Sequence, residues 1–214
     1  MKKLVLCVVL CMASACMAGE WVLNYEYLSD LENDLFNDAQ GGSVQYRIPI
    51  AGGLSAGLSA GYLTVDVDDQ SSSTGSRCRR MLQTLDGDVT DVPLGISAIY
   101  ALDINSSLRA VLDTGFKLHL LDSDLTYTET RRRGRRSRTE SQSVDIDNAL
   151  TYHVGGVFEW LLKDTDACQI AAAVGGGYAW DLDSDQLRVA GQNMPFDNSM
   201  EGCYLTAGVV IRTN

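Results

Sequence analysis

The sequence predicts an all-β protein: an eight-stranded, up-and-down, antiparallel transmembrane β-barrel. Three observations predict it. Eight short segments alternate apolar and polar residues, and the gaps between them alternate short and long. Beyond the first 18 residues, no stretch is apolar for the roughly 20 residues that a membrane helix needs. In lipid only helices and closed barrels satisfy every backbone group. A barrel faces lipid with every second residue, closes one rim with tight turns and carries long loops on the other.

The chain of 214 residues suits one β domain over residues 19–214, preceded by a leader over 1–18. Met1-Lys2-Lys3 is basic, 4–12 is apolar, and Ala13-Ser14-Ala15-Cys16-Met17-Ala18 is mostly small. This order reads as a secretory signal cleaved after Ala18. A second reading is lipidation at Cys16, since Ala13-Ser14-Ala15-Cys16 resembles a lipobox.

The first segment (20–28) places Trp21, Leu23, Tyr25 and Tyr27 on one face and Asn24 and Glu26 on the other. The second (43–50) sets Val44, Tyr46, Ile48 and Ile50 against Gln45 and Arg47, and Ala51-Gly52-Gly53 then turns tightly. The third (54–62) alternates Leu54, Ala56, Leu58, Ala60 and Tyr62 with Ser and Gly. The fourth (94–102) carries Leu94, Ile96, Ala98, Tyr100 and Leu102, followed by a turn at 103–107. The fifth (108–120) is the clearest, with Leu112, Phe116 and Leu118 against Arg109, Asp113, Lys117 and His119. The sixth (150–162) sets Tyr152, Val154, Phe158 and Trp160 against Thr151, His153 and Glu159, and a turn follows at 163–167. The seventh (170–180) has Ile170, Val174, Tyr178 and Trp180; the eighth (203–211) has Leu205, Ala207 and Val209 against Tyr204, Thr206 and Gly208. Period two is a strand signal. The gaps at 29–42, 68–92, 122–147 and 181–200 are polar and read as external loops.

All three Trp and all Tyr except Tyr127 and Tyr204 fall on the lipid face. Trp21, Tyr100, Phe158 and Trp160 are expected near the short-turn rim. Tyr27, Tyr46, Tyr62, Tyr152, Tyr178 and Trp180 are expected near the long-loop rim. Such rings sit at headgroup depth.

Once Lys2 and Lys3 leave with the leader, 28 acids face 15 bases, a net charge of −13 that excludes a nucleic-acid partner. The remaining bases cluster, at Arg77, Arg79 and Arg80 and at Arg131, Arg132, Arg133, Arg135, Arg136 and Arg138.

On this pattern the chain resembles the small bacterial outer-membrane barrels of the OmpA transmembrane-domain, OmpX and opacity-protein type. The resemblance covers about residues 20–214 and rests on no diagnostic motif. It implies outer-membrane lipids, lipopolysaccharide and the barrel-assembly machinery as partners. It departs at the end, Val-Val-Ile-Arg-Thr-Asn214, where such proteins usually finish on an aromatic residue.

Inside an eight-stranded barrel there is room only for side chains. Glu26, Asp113 and Glu159 with Arg47, Arg109 and Lys117 therefore read as an interior ion-pair network. A conducting pore is the sharper reading of the same residues. His119 and His153 point inward on neighbouring strands, almost opposite each other if the two strands pair near a residue sum of 270. They read as satisfied interior histidines, with a metal site or general base as the alternative. The His-x-Ser pair of barrel deacylases is absent, and no nucleophile elbow or P-loop is present. Gly175-Gly176-Gly177 within a strand reads as close backbone approach. The arginine run 131–138 reads as a solvated loop, or as a contact for phosphates or an acidic partner. Three cysteines follow the leader, Cys78, Cys168 and Cys203, so one internal disulfide is allowed. Strand order puts Cys168 and Cys203 at opposite rims, which leaves Cys78–Cys203 as the expected bond.

The function expected is structural or surface-interactive, exerted through four external loops, with no catalysis, cofactor or metal. Two rivals stay open: an outer-membrane lipid-modifying enzyme using His119 and His153, and a soluble lipocalin-like binder with its apolar face turned inward.

Overall fold

The computed structural model describes residues 19–29, 36–67, 70–76, 79–133, 136–144, 146–182, 186–189, 192–197 and 199–213. The expected leader, with Cys16, lies outside the described residues, as do Cys78 and Arg135.

Twelve strands follow in order: β1 (Glu20–Ser29), β2 (Phe36–Ala51), β3 (Leu54–Val67), β4 (Gln70–Ser76), β5 (Arg79–Asp103), β6 (Leu108–Arg133), β7 (Arg136–Val144), β8 (Ala149–Asp164), β9 (Cys168–Asp181), β10 (Gln186–Val189), β11 (Gln192–Asp197) and β12 (Gly202–Thr213). Eight of them close an antiparallel ring, β1-β2-β3-β5-β6-β8-β9-β12. The ring shuts where Glu20 pairs with Arg212 and Ser29 with Cys203. Following paired residues once around the ring returns to β1 offset by about ten residues, the stagger that tilts the strands and fixes the bore.

The short turns have local causes. Gly52 and Gly53 take φ of +58° and +84°, the left-handed conformation a tight hairpin demands. Asn105 Oδ1 accepts hydrogen bonds from the backbone N–H of Ser107 and Leu108, both at 2.9 Å. Thr165 Oγ1 donates to the Cys168 carbonyl at 2.8 Å and accepts from its N–H at 3.1 Å.

Much of what reads as external loop is strand. β5 and β6 pair without a break from Asp103↔Arg109 to Arg79↔Arg133. β4 adds to the far end of β5, and β7 to the far end of β6. A four-stranded sheet, β4-β5-β6-β7, thus carries the barrel wall outward. β10 and β11 form a separate hairpin. The reason lies in the phase of the pattern. Below the boundary the apolar residues point out: Leu112, Phe116 and Leu118 are exposed, while His119 is buried. Above it the phase inverts: Leu125 and Tyr127 are buried, while Asp122, Asp124 and Thr126 are exposed. β3 switches likewise between exposed Tyr62 and buried Leu63. A strand leaving lipid for water must exchange its faces, because water now covers the outside. Gly87, with φ of +144°, sits where β5 changes partner, from Val65 of β3 opposite Val89 to Gln70 of β4 opposite Leu85. A Cβ there would strike the carbonyl of Asp124.

The exposed apolar belt includes Leu23, Leu58, Ile96, Leu112, Val154 and Leu205 from successive strands. The lipocalin-like alternative needs that face inside, so the structure overturns it. Aromatic residues band the belt. Tyr152 packs on Trp180 at 5.9 Å and on Phe116 at 5.4 Å toward the outer rim. Trp21 and Tyr46 meet at 4.6 Å toward the short-turn rim. Tyr46 therefore belongs to the opposite girdle from the one expected. β2 begins at Phe36 rather than near residue 43, which puts Tyr46 in its inner half.

Candidate functional site

Polar side chains stack in layers along the interior, beside a small apolar cluster of Val22, Ala171, Ala173 and Val210. Nearest the short turns, β1, β2, β6, β8 and β12 each contribute one charge. Glu159 is buried and meets Arg47 Nη1 at 2.5 Å and the guanidinium of Arg212. Glu20 takes Arg109 Nη1 at 2.6 Å, Arg212 Nε at 3.1 Å and Arg47 Nη1 at 3.5 Å. The next layer holds Asp113, which accepts from Gln45 Nε2 at 2.9 Å and faces His153 Nε2 at 3.4 Å. Above it Lys117 Nζ lies 3.0 Å from Glu26 Oε2 and 5.5 Å from the centre of the Tyr204 ring, and Ser43 donates to the same Glu26 carboxylate. Uppermost, His119 bridges Asp91 Oδ2 at 2.6 Å and Thr151 Oγ1 at 3.0 Å.

All six expected interior charges lie here, in two groups: Arg47, Arg109 and Glu159 below, Glu26 and Lys117 above, with Asp113 between. Glu20, Arg212 and Asp91 complete the layers and were not singled out from sequence. Glu20 opens β1 and Arg212 lies one residue before the end of β12, both at the short-turn rim, and Asp91 falls in the gap 68–92. Parity would have found the first two: Glu20 is in phase with Glu26, and Arg212 with Tyr204 and Thr206. The two histidines do not share a site. His119 pairs with Ala149 and His153 with Gly115, two residues off the expected register, and each imidazole takes its own carboxylate. Among the described residues no cluster of His, Cys, Asp and Glu is arranged to hold a metal.

The glycines of β8 and β9 serve this packing. A Cβ at Gly155 or Gly177 would collide with the Tyr204 hydroxyl, so their absence of side chain makes room for that ring inside the wall.

The lumen is stopped. Toward the outside, Leu28, Leu63, Val89, Leu125, Tyr127 and Met200 belong to one buried apolar cluster across the bore. Beneath it the cavities around Tyr204 hold about 40 and 10 Å³, room for a water molecule or two. The short-turn mouth opens into a larger space, about 540 Å³, lined by Glu20, Arg109, Glu159 and Arg212 among others.

The basic residues gather at the far end of the external sheet. The registers set Arg79 beside Arg133 and Arg133 beside Arg136; Arg80 beside Arg132; and Arg131 beside Arg138. Arg131 and Arg138 are well exposed. Arg131 bonds Glu129, which raises its already high pKa, and Arg138 Nη2 lies 2.6 Å from Glu140. The run reads from sequence as a loop; in the structure it spans a β-hairpin, because a Thr/Ser/Arg-rich strand satisfies its backbone in the sheet while both faces remain wet.

Cys78, and with it the expected Cys78–Cys203 bond, lies outside the described residues. Cys203 is a free, exposed thiol on the wall of β12, and Cys168 is free at the opposite end of the barrel. Ser76 and Arg79, which flank Cys78, pair some ten strand residues beyond Val89, about 30 Å along the strand from the barrel proper. Both described thiols should therefore react with a maleimide in the unfolded chain without prior reduction. Recovery of a Cys168–Cys203 disulfide peptide would contradict the register of β9 with β12.

No family model matches the chain, and no curated protein does. Among solved structures it is similar to the outer membrane protein OprG of Pseudomonas aeruginosa. The TM-score is 0.56 at 12% identity, over 92% of this chain and 97% of that one. It also matches the attachment invasion locus protein Ail of Yersinia pestis (TM-score 0.37, 13% identity, 92% and 99% covered). A third match is the N-terminal barrel domain of Pseudomonas aeruginosa OprF (TM-score 0.32, 13% identity, 90% and 98% covered). The likeness to OprG is one of fold: this chain is an antiparallel β-barrel of that architecture, with a belt of apolar side chains around its outside.

Proposed function

We propose that this barrel is a surface-interaction protein of the bacterial outer membrane, working outside the bilayer through its external sheet, with neither conduction nor catalysis. The observation that carries the reading is the contrast between the two ends. The bore is filled with paired charges and capped by apolar side chains, while β5 and β6 run far beyond the boundary to lift an arginine-rich edge into the medium.

Reach selects what the arginines contact. From Leu121 to Arg131 is ten residues of strand, about 30 Å at roughly 3.3 Å each. The headgroup phosphates of the protein's own leaflet lie at the bottom of that span. The arginines at 131, 132, 133, 135, 136 and 138 instead meet anionic groups carried further out, on the saccharide part of lipopolysaccharide or on another surface, using the bidentate geometry that suits phosphate. Membrane lipids cover the belt, and the barrel-assembly machinery is the folding partner that this architecture implies.

The absence of catalysis is argued from burial. Asp91, His119 and Thr151 form a carboxylate–imidazole–hydroxyl chain, but at 0%, 2% and 0% exposure no substrate reaches the hydroxyl. The chain reads as a satisfied polar layer under the apolar cap.

Replacing 68–87 and 124–145 each by a short turn tests the reading. The trimmed barrel should still migrate differently heated and unheated on a gel, since the ring and its belt are intact. Its binding to lipopolysaccharide should fall at least about tenfold, as expected when several charge-assisted contacts are lost. The full chain, with its apolar cap in place, should give no stable ion conductance in a planar bilayer. Undiminished binding by the trimmed barrel, or steady single-channel currents through the full chain, would overturn the proposal.

A further inference from the structure

The external sheet has two edges, and they are built differently. β7 carries Arg136, Arg138 and Glu140, and β10 lies beside it. Charges and a covering hairpin are how sheets normally blunt an edge. β4 has neither. It is Gln-Ser-Ser-Ser-Thr-Gly-Ser, with no charge and no proline, and among the described strands it pairs only with β5. Its other edge offers backbone N–H and C=O groups to an incoming strand.

The sheet is also polarised along its length. The far end holds Arg79, Arg80, Arg131, Arg132, Arg133, Arg136 and Arg138, seven arginines against the two acids Glu129 and Glu140. The end next to the membrane holds Asp66, Asp88, Asp122 and Asp124, all exposed. A partner lying antiparallel along β4 with the same polarity would set basic against acidic at both ends. A parallel partner would set like against like. A second copy of this chain supplies that pattern.

We infer that β4 edges of two copies pair antiparallel to join barrels in facing membranes, so that the protein mediates homotypic contact between cells. The geometry forces the facing arrangement. Two copies using the same edge are related by a twofold axis, and for antiparallel strands in one sheet that axis is perpendicular to the sheet. The sheet prolongs the barrel wall, so its plane contains the barrel axis. A twofold perpendicular to that plane reverses the barrel axis. Two copies in one membrane, with parallel axes, cannot make the contact. Each contact is a short ladder; many copies on one surface act together and multiply the effect.

The inference rests on the surface-interaction reading, and the test separates the two. Cells displaying the full chain are mixed with differently coloured displaying and non-displaying cells. Displaying cells should clump with one another, exclude the others, and disperse at high salt. Ser71→Lys with Ser73→Lys, which charges the open edge, should reduce clumping about tenfold or more while the unheated gel still shows a folded barrel. Ser71→Thr with Ser73→Thr should clump as the unaltered chain does. Vesicles carrying purified protein repeat the measurement if the lysine variant is poorly exported. Absence of clumping by the unaltered chain, incorporation of non-displaying cells, or equal clumping by the lysine variant would overturn it. Should self-clumping be absent while the trimmed barrel still loses lipopolysaccharide binding, the surface reading stands and the homotypic contact alone falls.

Discussion

Glu159→Gln is expected to lower the unfolding free energy of the barrel by about 3–5 kcal/mol, the usual consequence of removing one partner from a buried ion pair. The side chain is fully buried and receives both Arg47, itself 3% exposed, and Arg212. Gln keeps the shape and one acceptor but leaves two guanidinium groups facing a neutral amide, with Glu20 shared among three arginines and exposed Asp103 reaching Arg109 alone. The penalty comes from stranding positive charge in a site with little water, so it should shrink when charge is removed as well. Glu159→Gln combined with Arg47→Met should recover part of the loss, and the double-mutant cycle should show coupling well above additivity. Urea unfolding in lipid, followed by fluorescence of the three tryptophans, measures both. A loss below about 0.5 kcal/mol, the scale of an exposed pair, would mean that the lower layer is open to water.

Architecture within the membrane was legible because lipid enforces a rule that sequence displays directly. Leu112 and Asp113 are neighbours in the chain and opposite in environment, and every span repeats that contrast. The interior charges followed from the same parity. What lay above the boundary was not legible, for a physical reason. At Leu63 and Leu121 the apolar face turns from outside to inside, so a criterion built on outward apolar residues stops there although pairing continues to Arg133. β4 and β7 are harder still: the Ser-, Thr- and Gln-rich sequences of 70–76 and 136–144 show no apolar alternation, and residues 137–143 are exposed on both faces. The register of His119 and His153 differs by two residues from a sum of 270, which supposes Leu108 opposite Leu162, because Leu108 pairs with Trp160 and composition alone does not distinguish the two. The gap 68–92, read as a loop, is largely strand: β4 and the outer part of β5 pair from Gln70↔Leu85 to Ser76↔Arg79.

Leu112→Arg should cost about 2–4 kcal/mol, the measured scale for a cationic side chain near the middle of a lipid-facing strand. Leu112 is 57% exposed, lies between Tyr100 and Gly156 on its neighbours, and sits inside the span bounded by Leu108 and Leu120. In water such a surface change would be nearly neutral; only hydrocarbon makes it expensive, so the penalty itself reports what covers the residue. Asp113→Asn, one residue away, supplies the internal comparison. Asp113 accepts from Gln45 and faces His153 inside the bore. Asn retains an acceptor for Gln45 and forfeits mainly the charge, a loss of about 1–2 kcal/mol. The ordering matters more than either value, because both substitutions share the same strand, depth and backbone and differ only in which side of the wall they face. If Leu112→Arg were the milder change in lipid, the belt would not be in contact with hydrocarbon, and the membrane-spanning reading of this face would be wrong.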